Sequence, residues 1–113
     1  MANATDEAVV VLVTVPNSEV AARLADTLVG EELAACVNVL PQLTSTYRWQ
    51  GRVEREQEQL CLIKTTRAGF EPLRRRVIEL HPYELPEVIA LPIVAGHAPY
   101  LQWIAASVRA RGG

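Results

Sequence analysis

Cysteine is scarce in this chain. The 113 residues hold two, Cys36 and Cys61, too few for the disulfide framework of a small secreted domain. A tight turn at Gln50-Gly51 would set Cys61 opposite Leu40, four residues or ~13 Å along the strand from Cys36 and beyond disulfide reach. Both thiols are therefore expected as buried, apolar-type side chains. Charge of one sign is lacking as well: a net charge of -2 raises no field that would select nucleic acid or an anionic membrane. Long apolar runs are absent. The stretch from Ala8 to Val15 is too short to span a bilayer, and Met1 to Glu7 is polar and acidic, with no basic region ahead of an apolar one. A soluble cytoplasmic protein without membrane or nucleic-acid partners is the expectation. Residues 1–7 read as a frayed terminus and residues 8–110 as one domain, because a chain of this length has room for a single core. No glycine-rich phosphate loop, Ser/His/Asp arrangement or activated-cysteine motif is legible, so neither an organic cofactor nor an enzyme is expected.

What is present is concentrated in His81-Pro82-Tyr83-Glu84-Leu85-Pro86-Glu87. Each proline fixes its own φ and pushes the residue before it toward an extended conformation, so one histidine, one tyrosine and two carboxylates ride on a stiff strap. Such a strap is either a rigid connector between a helix and a strand or a site.

Hydrophobic periodicity supplies the elements around it. The β-branched run Val9 to Val15 reads as a central strand covered on both faces. Val20, Leu24 and Leu28 recur at helical spacing, giving a helix from Ser18 to about Glu32 capped by Asn17 or Ser18. Leu33 to Trp49 and Arg52 to Thr66 are extended segments joined by the Gln50-Gly51 turn. Pro41 predicts a bulge or bend in the first of them. Fully extended, residues 34–49 would cover ~50 Å, whereas a compact domain of this size is about 35 Å across. Part of the hairpin must bend or overhang. An overhanging arm with Tyr47 and Trp49 among charged residues calls for a partner chain, unless it folds back on its own domain.

Phe70, Leu73, Val77 and Leu80 mark a second helix. Its Arg74-Arg75-Arg76 run reads as a solvated face, with Glu71 and Glu79 spaced to pair with Arg75. Val88 to Ala95 is a further strand, and Pro92 within it argues for an edge position or a bulge. Tyr100, Leu101, Ile104, Ala105 and Val108 support a closing helix before a frayed Arg-Gly-Gly tail. The order is that of a ferredoxin-like α+β sandwich, β-α-β-β-α-β with an extra C-terminal helix and a long hairpin between its second and third strands. The sheet face away from the helices needs a cover, and self-association is the simplest.

Five segments resemble the CutA divalent-cation-tolerance family: Leu33 to Asn38, Ser45 to Gly51, Leu62 to Thr66, His81 to Glu87 and Tyr100 to Ile104. They run in family order over nearly the whole chain. The resemblance implies a tight homotrimer with hairpins crossing between subunits, a cytoplasmic location, a link to tolerance of divalent metals and of copper above all, and likeness to the trimeric PII signalling proteins. The chain departs from some copper-linked relatives: it has Val13 where they have a first-strand cysteine, and Leu80-His81 where they have two histidines.

On donor chemistry, His81 and Cys36 are the first candidates for copper or another divalent metal, with Glu84 or Glu87 as an oxygen donor. Their convergence, within or between subunits, is an expectation. The alternative is a PII-like regulatory or scaffold trimer with an inter-subunit cleft lined by Lys64, Tyr83, Trp49 and Tyr47. In that cleft Lys64 would bind an anion, unless it only snorkels from its strand end.

Overall fold

The computed structural model describes residues 7–109. Its elements are β1 (Ala8–Val15), α1 (Ser18–Gly30), β2 (Cys36–Trp49), β3 (Arg52–Thr66), α2 (Phe70–Leu80), β4 (Ile89–Pro92) and α3 (Ala98–Ser107). The strands form one antiparallel sheet in the order β2-β3-β1-β4, the ferredoxin-like arrangement with the first strand inside. The fraying expected at the N-terminus falls on residues outside those described, save Glu7. Its carbonyl accepts from the Arg67 backbone N–H at 2.9 Å, and its carboxylate meets the Arg67 guanidinium at 3.1 Å. The Arg-Gly-Gly tail also lies outside the described residues.

Period two governs β1. Val9, Val11, Val13 and Val15 point to one face, at most 5% exposed, and pack with Cys61 and Ile63 of β3, Leu24 and Leu28 of α1, and Leu73 and Val77 of α2. Val10, Leu12 and Thr14 turn the other way and are only half-buried. The double cover expected for this strand is thus lacking within the subunit. The helices seal one face, while α3 covers only the end of the other, where Ile104 packs on Ala8 and Ala35.

Helix α1 opens on Asn17, whose side chain accepts from the Val20 N–H at 2.9 Å, the short polar cap that satisfies an orphan first-turn donor. It stops at Gly30, before the predicted Glu32. Glu32 adopts a left-handed φ of 60°, and Leu33 and Glu32 donate back to the Leu28 and Val29 carbonyls at 2.9 and 3.1 Å. That is the double bond of a Schellman end, made here without glycine. Arg109 clasps the strained residue through two bonds to its carboxylate and one to its carbonyl.

The hairpin turns at Gln50-Gly51, both at positive φ, with Trp49 opposite Arg52. The bulge that Pro41 predicts lies between Leu40 and Leu43. It takes up one residue, so Cys61 sits opposite Val39 and not opposite Leu40. The cysteines are both free. Cys61 is buried, but Cys36 is only half-buried, contrary to expectation. The hairpin overhangs as its length demands, and the molecule measures 48 × 26 × 24 Å.

Two further details differ. β4 is four residues long in place of the run Val88 to Ala95, and it ends at Pro92, which has no N–H to extend the ladder. The α2 ion pairs form on either side of the expected Arg75: Glu71 with Arg74, and Arg76 with Glu79 and Glu31.

Candidate functional site

Because β4 pairs β1 only from Val9 to Leu12, the edge of β1 beyond Leu12 is left to the strap. His81 ends α2 in the extended conformation that the following proline imposes, φ -82° and ψ 134°. Its Nε2 lies 2.8 Å from the Thr14 carbonyl, and its Nδ1 accepts from the Tyr83 backbone N–H at 3.2 Å. A carbonyl can only accept, so Nε2 carries the proton and the ring is the neutral tautomer. The imidazole stands in for a ladder donor that a longer β4 would have supplied. Both of its nitrogens are engaged, and the residue is 7% exposed.

The strap then rounds the sheet edge. The Tyr83 ring lies 4.6 Å from the His81 ring, and its hydroxyl donates to Glu58 Oε2 at 2.7 Å. Glu58 belongs to β3 opposite Leu43, beside the bulge, and is buried. Burial pushes the Tyr83 phenol well above its ordinary range, helped by the hydrogen bond to Glu58 and the charges of Glu58 and Glu56. Glu87 is exposed overall, yet partial desolvation raises its carboxyl, and the nearby charge of Glu58 raises it further. The Tyr83 phenol and the Glu87 carboxyl are therefore both raised beside the buried Glu58 side chain. Next to Glu58 an open depression of about 330 Å³ lies between the bulge and the start of α1, lined by Asn17, Ser18, Gln42, Gln57 and Gln59.

The other expected site residues are spread out. Glu84 is exposed. Cys36 pairs across the ladder with Lys64, six residues along β3 from Glu58 and so ~20 Å away. His81, bonded at Thr14, and Cys36, level with Val10, are four positions or ~13 Å apart along the sheet within one subunit. Tyr47, 40% exposed, shares a hairpin face with Glu54, Glu56 and Glu58, and burial followed by the charges of Glu56, Glu54 and Glu58 raises its phenol. Trp49 closes the far tip opposite Arg52, as distant from Glu58 as Lys64 is but in the other direction. Lys64, Tyr83, Tyr47 and Trp49 thus form no single cleft in one subunit. Among the described residues, no three His, Cys, Asp or Glu side chains come together as a cation site. Glu58 is the site residue that sequence reasoning left among the arm's charges. Its signal was parity: it shares a sheet face with Leu60 and Leu62, so it is a carboxylate at the margin of an apolar row.

Among the described residues, no helix is long and apolar enough to cross a membrane. The family model described as CutA1 divalent ion tolerance protein matches residues 9–107. The divalent-cation tolerance protein CutA of Thermus thermophilus is 57% identical over 95 residues, covering 84% of this chain and 92% of that protein. The chloroplastic Protein CutA of Arabidopsis thaliana is 48% identical over 105 residues, 93% of this chain but 58% of that protein, so the chain spans little more than half of that relative. The solved structure of the Thermus thermophilus protein matches with a TM-score of 0.89 at 53% identity, covering 90% of this chain and 99% of that one. The structure of CutA1 from Oryza sativa gives a TM-score of 0.89 at 45% identity, with 95% and 98% covered.

Proposed function

The chain belongs to the CutA1 divalent ion tolerance family, and from that premise we propose that it acts in metal-ion tolerance as a non-catalytic homotrimer that binds divalent cations weakly. The observation that carries this reading is the hydrogen bond from the Tyr83 hydroxyl to the buried Glu58 carboxyl beside the strap, with the exposed Glu87 near enough for the Glu58 charge to raise it. Two carboxylates with a phenol are oxygen donors, which suit hard divalent cations such as manganese or magnesium better than copper, whose preference is for imidazole and thiolate. Two carboxylates from one subunit make an incomplete coordination shell. The remaining donors come from water or a neighbouring subunit, and exchange at such a site is fast and affinity modest. His81 serves this site by holding Tyr83 in place rather than by ligation.

The trimer is supported by the open sheet face. In register, Leu12, Leu60, Leu62, Ile89 and Leu91 share that face, and Ile89 and Leu91 are 49% and 46% exposed. An apolar sheet surface of this kind is covered in a soluble protein by a second copy or another partner. The overhanging hairpin gives a neighbouring copy something to grip.

Titration calorimetry of the intact protein with manganese(II), zinc(II) and copper(II), beside Glu58→Gln and His81→Ala, tests the reading. Saturable binding that Glu58→Gln abolishes and His81→Ala weakens only in part is the expected result. Binding of copper alone, lost in His81→Ala and kept in Glu58→Gln, would move the site to the imidazole.

The second reading, a PII-like regulatory trimer for a small ligand, is favoured by the open depression beside Glu58. A metabolite that raises the melting temperature with no metal present, and loses that effect in Gln57→Ala, would support it.

A further inference from the structure

At the root of the hairpin, on the sheet face that α1 and α2 leave open, Cys36 and Lys64 stand directly opposite each other across the ladder. The Cys36 Sγ lies 3.8 Å from Lys64 Nζ and 3.6 Å from Asn38 Oδ1. The same amide oxygen accepts a hydrogen bond from Lys64 Nζ. From α3, Tyr100 comes near the pair: burial raises its phenol first, and interaction with Cys36 raises it further. An ammonium, a phenol and an amide therefore converge on one half-buried thiol. The ammonium argues against a divalent cation here, because it already places positive charge beside the soft donor. The set suits thiol chemistry, since a cation and hydrogen-bonding groups stabilise the oxygen that oxidation adds to sulfur. Cys61 is the contrast within the same chain: it is 0% exposed, and burial alone pushes its thiol up.

We propose that Cys36 is an oxidant-sensitive thiol and that Lys64 captures its oxidised form as a covalent S–N link between β2 and β3. The oxidant is a peroxide. The Cys36 sulfur attacks one peroxide oxygen, an S–O bond forms as the O–O bond breaks, and the second oxygen leaves as water with the thiol proton. Sulfur is oxidised by two electrons and the peroxide is reduced, giving a sulfenic acid. Lys64, after releasing its extra proton to water, attacks that sulfur. The S–N bond forms as the S–O bond breaks, and the hydroxyl leaves as water with a proton from the nitrogen. One peroxide is consumed and two waters are formed. The directly opposed cross-strand positions let the flexible lysine reach the sulfur without moving the backbone. The link staples the root of the hairpin and removes the Lys64 charge from the sheet face. It lies at the end that α3 covers, in one row with Val10 and Leu91 and beside Leu62, at the margin of the apolar patch.

The full-length protein is treated with hydrogen peroxide, digested without reductant and mapped by mass spectrometry. The expected product is a joined pair of peptides carrying Cys36 and Lys64, lighter by two hydrogens than their sum and released by a thiol reductant. Oxidation of Cys36 should run about tenfold or more ahead of Cys61. In Lys64→Arg, which keeps the positive charge, Cys36 should still oxidise but stop at a sulfenic acid that a cyclic dione traps. Conversion of wild-type Cys36 to sulfinic or sulfonic acid with Lys64 unmodified overturns the proposal, as does oxidation no faster than that of Cys61. If Lys64→Arg fails to fold, the presence or absence of the joined pair in the wild-type map decides.

Discussion

One sheet carries two faces of opposite character. On the helix side Val11, Val13, Val15, Cys61 and Ile63 are all 0% exposed, locked against Leu24, Leu28, Leu73 and Val77. On the other side the alternate residues of the same strands are mostly half-buried or exposed, with Ala8, Glu58 and Thr66 the buried ones, and polar groups gather there: Glu58 with Tyr83 midway along β3, Cys36 with Lys64 at the root of the hairpin. The difference teaches a division of labour. The sealed face supplies subunit stability through apolar burial. The open face, which a single subunit cannot close, is where chemistry and association are available.

The sharpest test of that division is one substitution on each face, a cavity on the sealed side and a charge on the open one. Ile63→Ala should cost about 4 kcal/mol in chemical denaturation, because the sealed face cannot collapse around the lost side chain. Leu91→Glu on the open face should change subunit stability by no more than about 0.5 kcal/mol while lowering the assembly's mass in sedimentation. If Leu91→Glu unfolds the subunit as Ile63→Ala does, the two faces do not differ in kind.

A smaller effect is expected at the strap. Tyr83→Phe removes the donor to buried Glu58 and should cost about 1 kcal/mol. The folded-state phenol is raised above its unfolded value near 10, so its contribution is full below that value and is lost as pH climbs through the folded one. Wild type should therefore lose stability more steeply than Tyr83→Phe on the alkaline limb, as read by denaturation midpoints from pH 9 upward; parallel limbs would break the link between Tyr83 and Glu58.

Glu87 gives a subtler signal with the same sign. Its folded carboxyl is raised above the ordinary value of 4.5 by burial and by Glu58. Stability is thus fully present below that value and declines as pH rises through the raised one. Glu87→Gln should flatten this decline and stabilise the protein slightly at neutral pH; an unchanged profile would show that Glu87 is solvated. The smallest effect belongs to the outer surface of the helices. Arg76→Ala should leave the midpoint unchanged although Arg76 makes bonds of 3.1 and 2.9 Å to Glu31, because exposed ion pairs are offset by solvation and side-chain entropy.

Much of the fold was legible. The apolar run of β1, the stripes of α1 and α2, the Gln50-Gly51 turn and the bulge at Pro41 each follow from local chemistry. The misses share a cause. α1 stops early because Glu32 accepts a left-handed conformation that Arg109 stabilises from 77 residues away. Cys61 moved one place because the bulge absorbs a residue, and a slip of that size cannot be read from turn position alone. The site was legible in part: the strap stands out by its prolines, and Tyr83 and Glu87 were named. Glu58 was not, because its partner lies 25 residues further along the chain.

The sequence by itself determined the order of elements, the overhang of the hairpin and the stiffness of the strap, since each depends on periodicity, length or a fixed φ. Tertiary structure decided which polar groups meet. Strand pairing set Cys36 against Lys64, and the shortness of β4 left the Thr14 carbonyl for His81 and so carried Tyr83 round the sheet edge to Glu58. Contacts of that kind depend on register and on where a strand ends, which no local pattern of residues encodes.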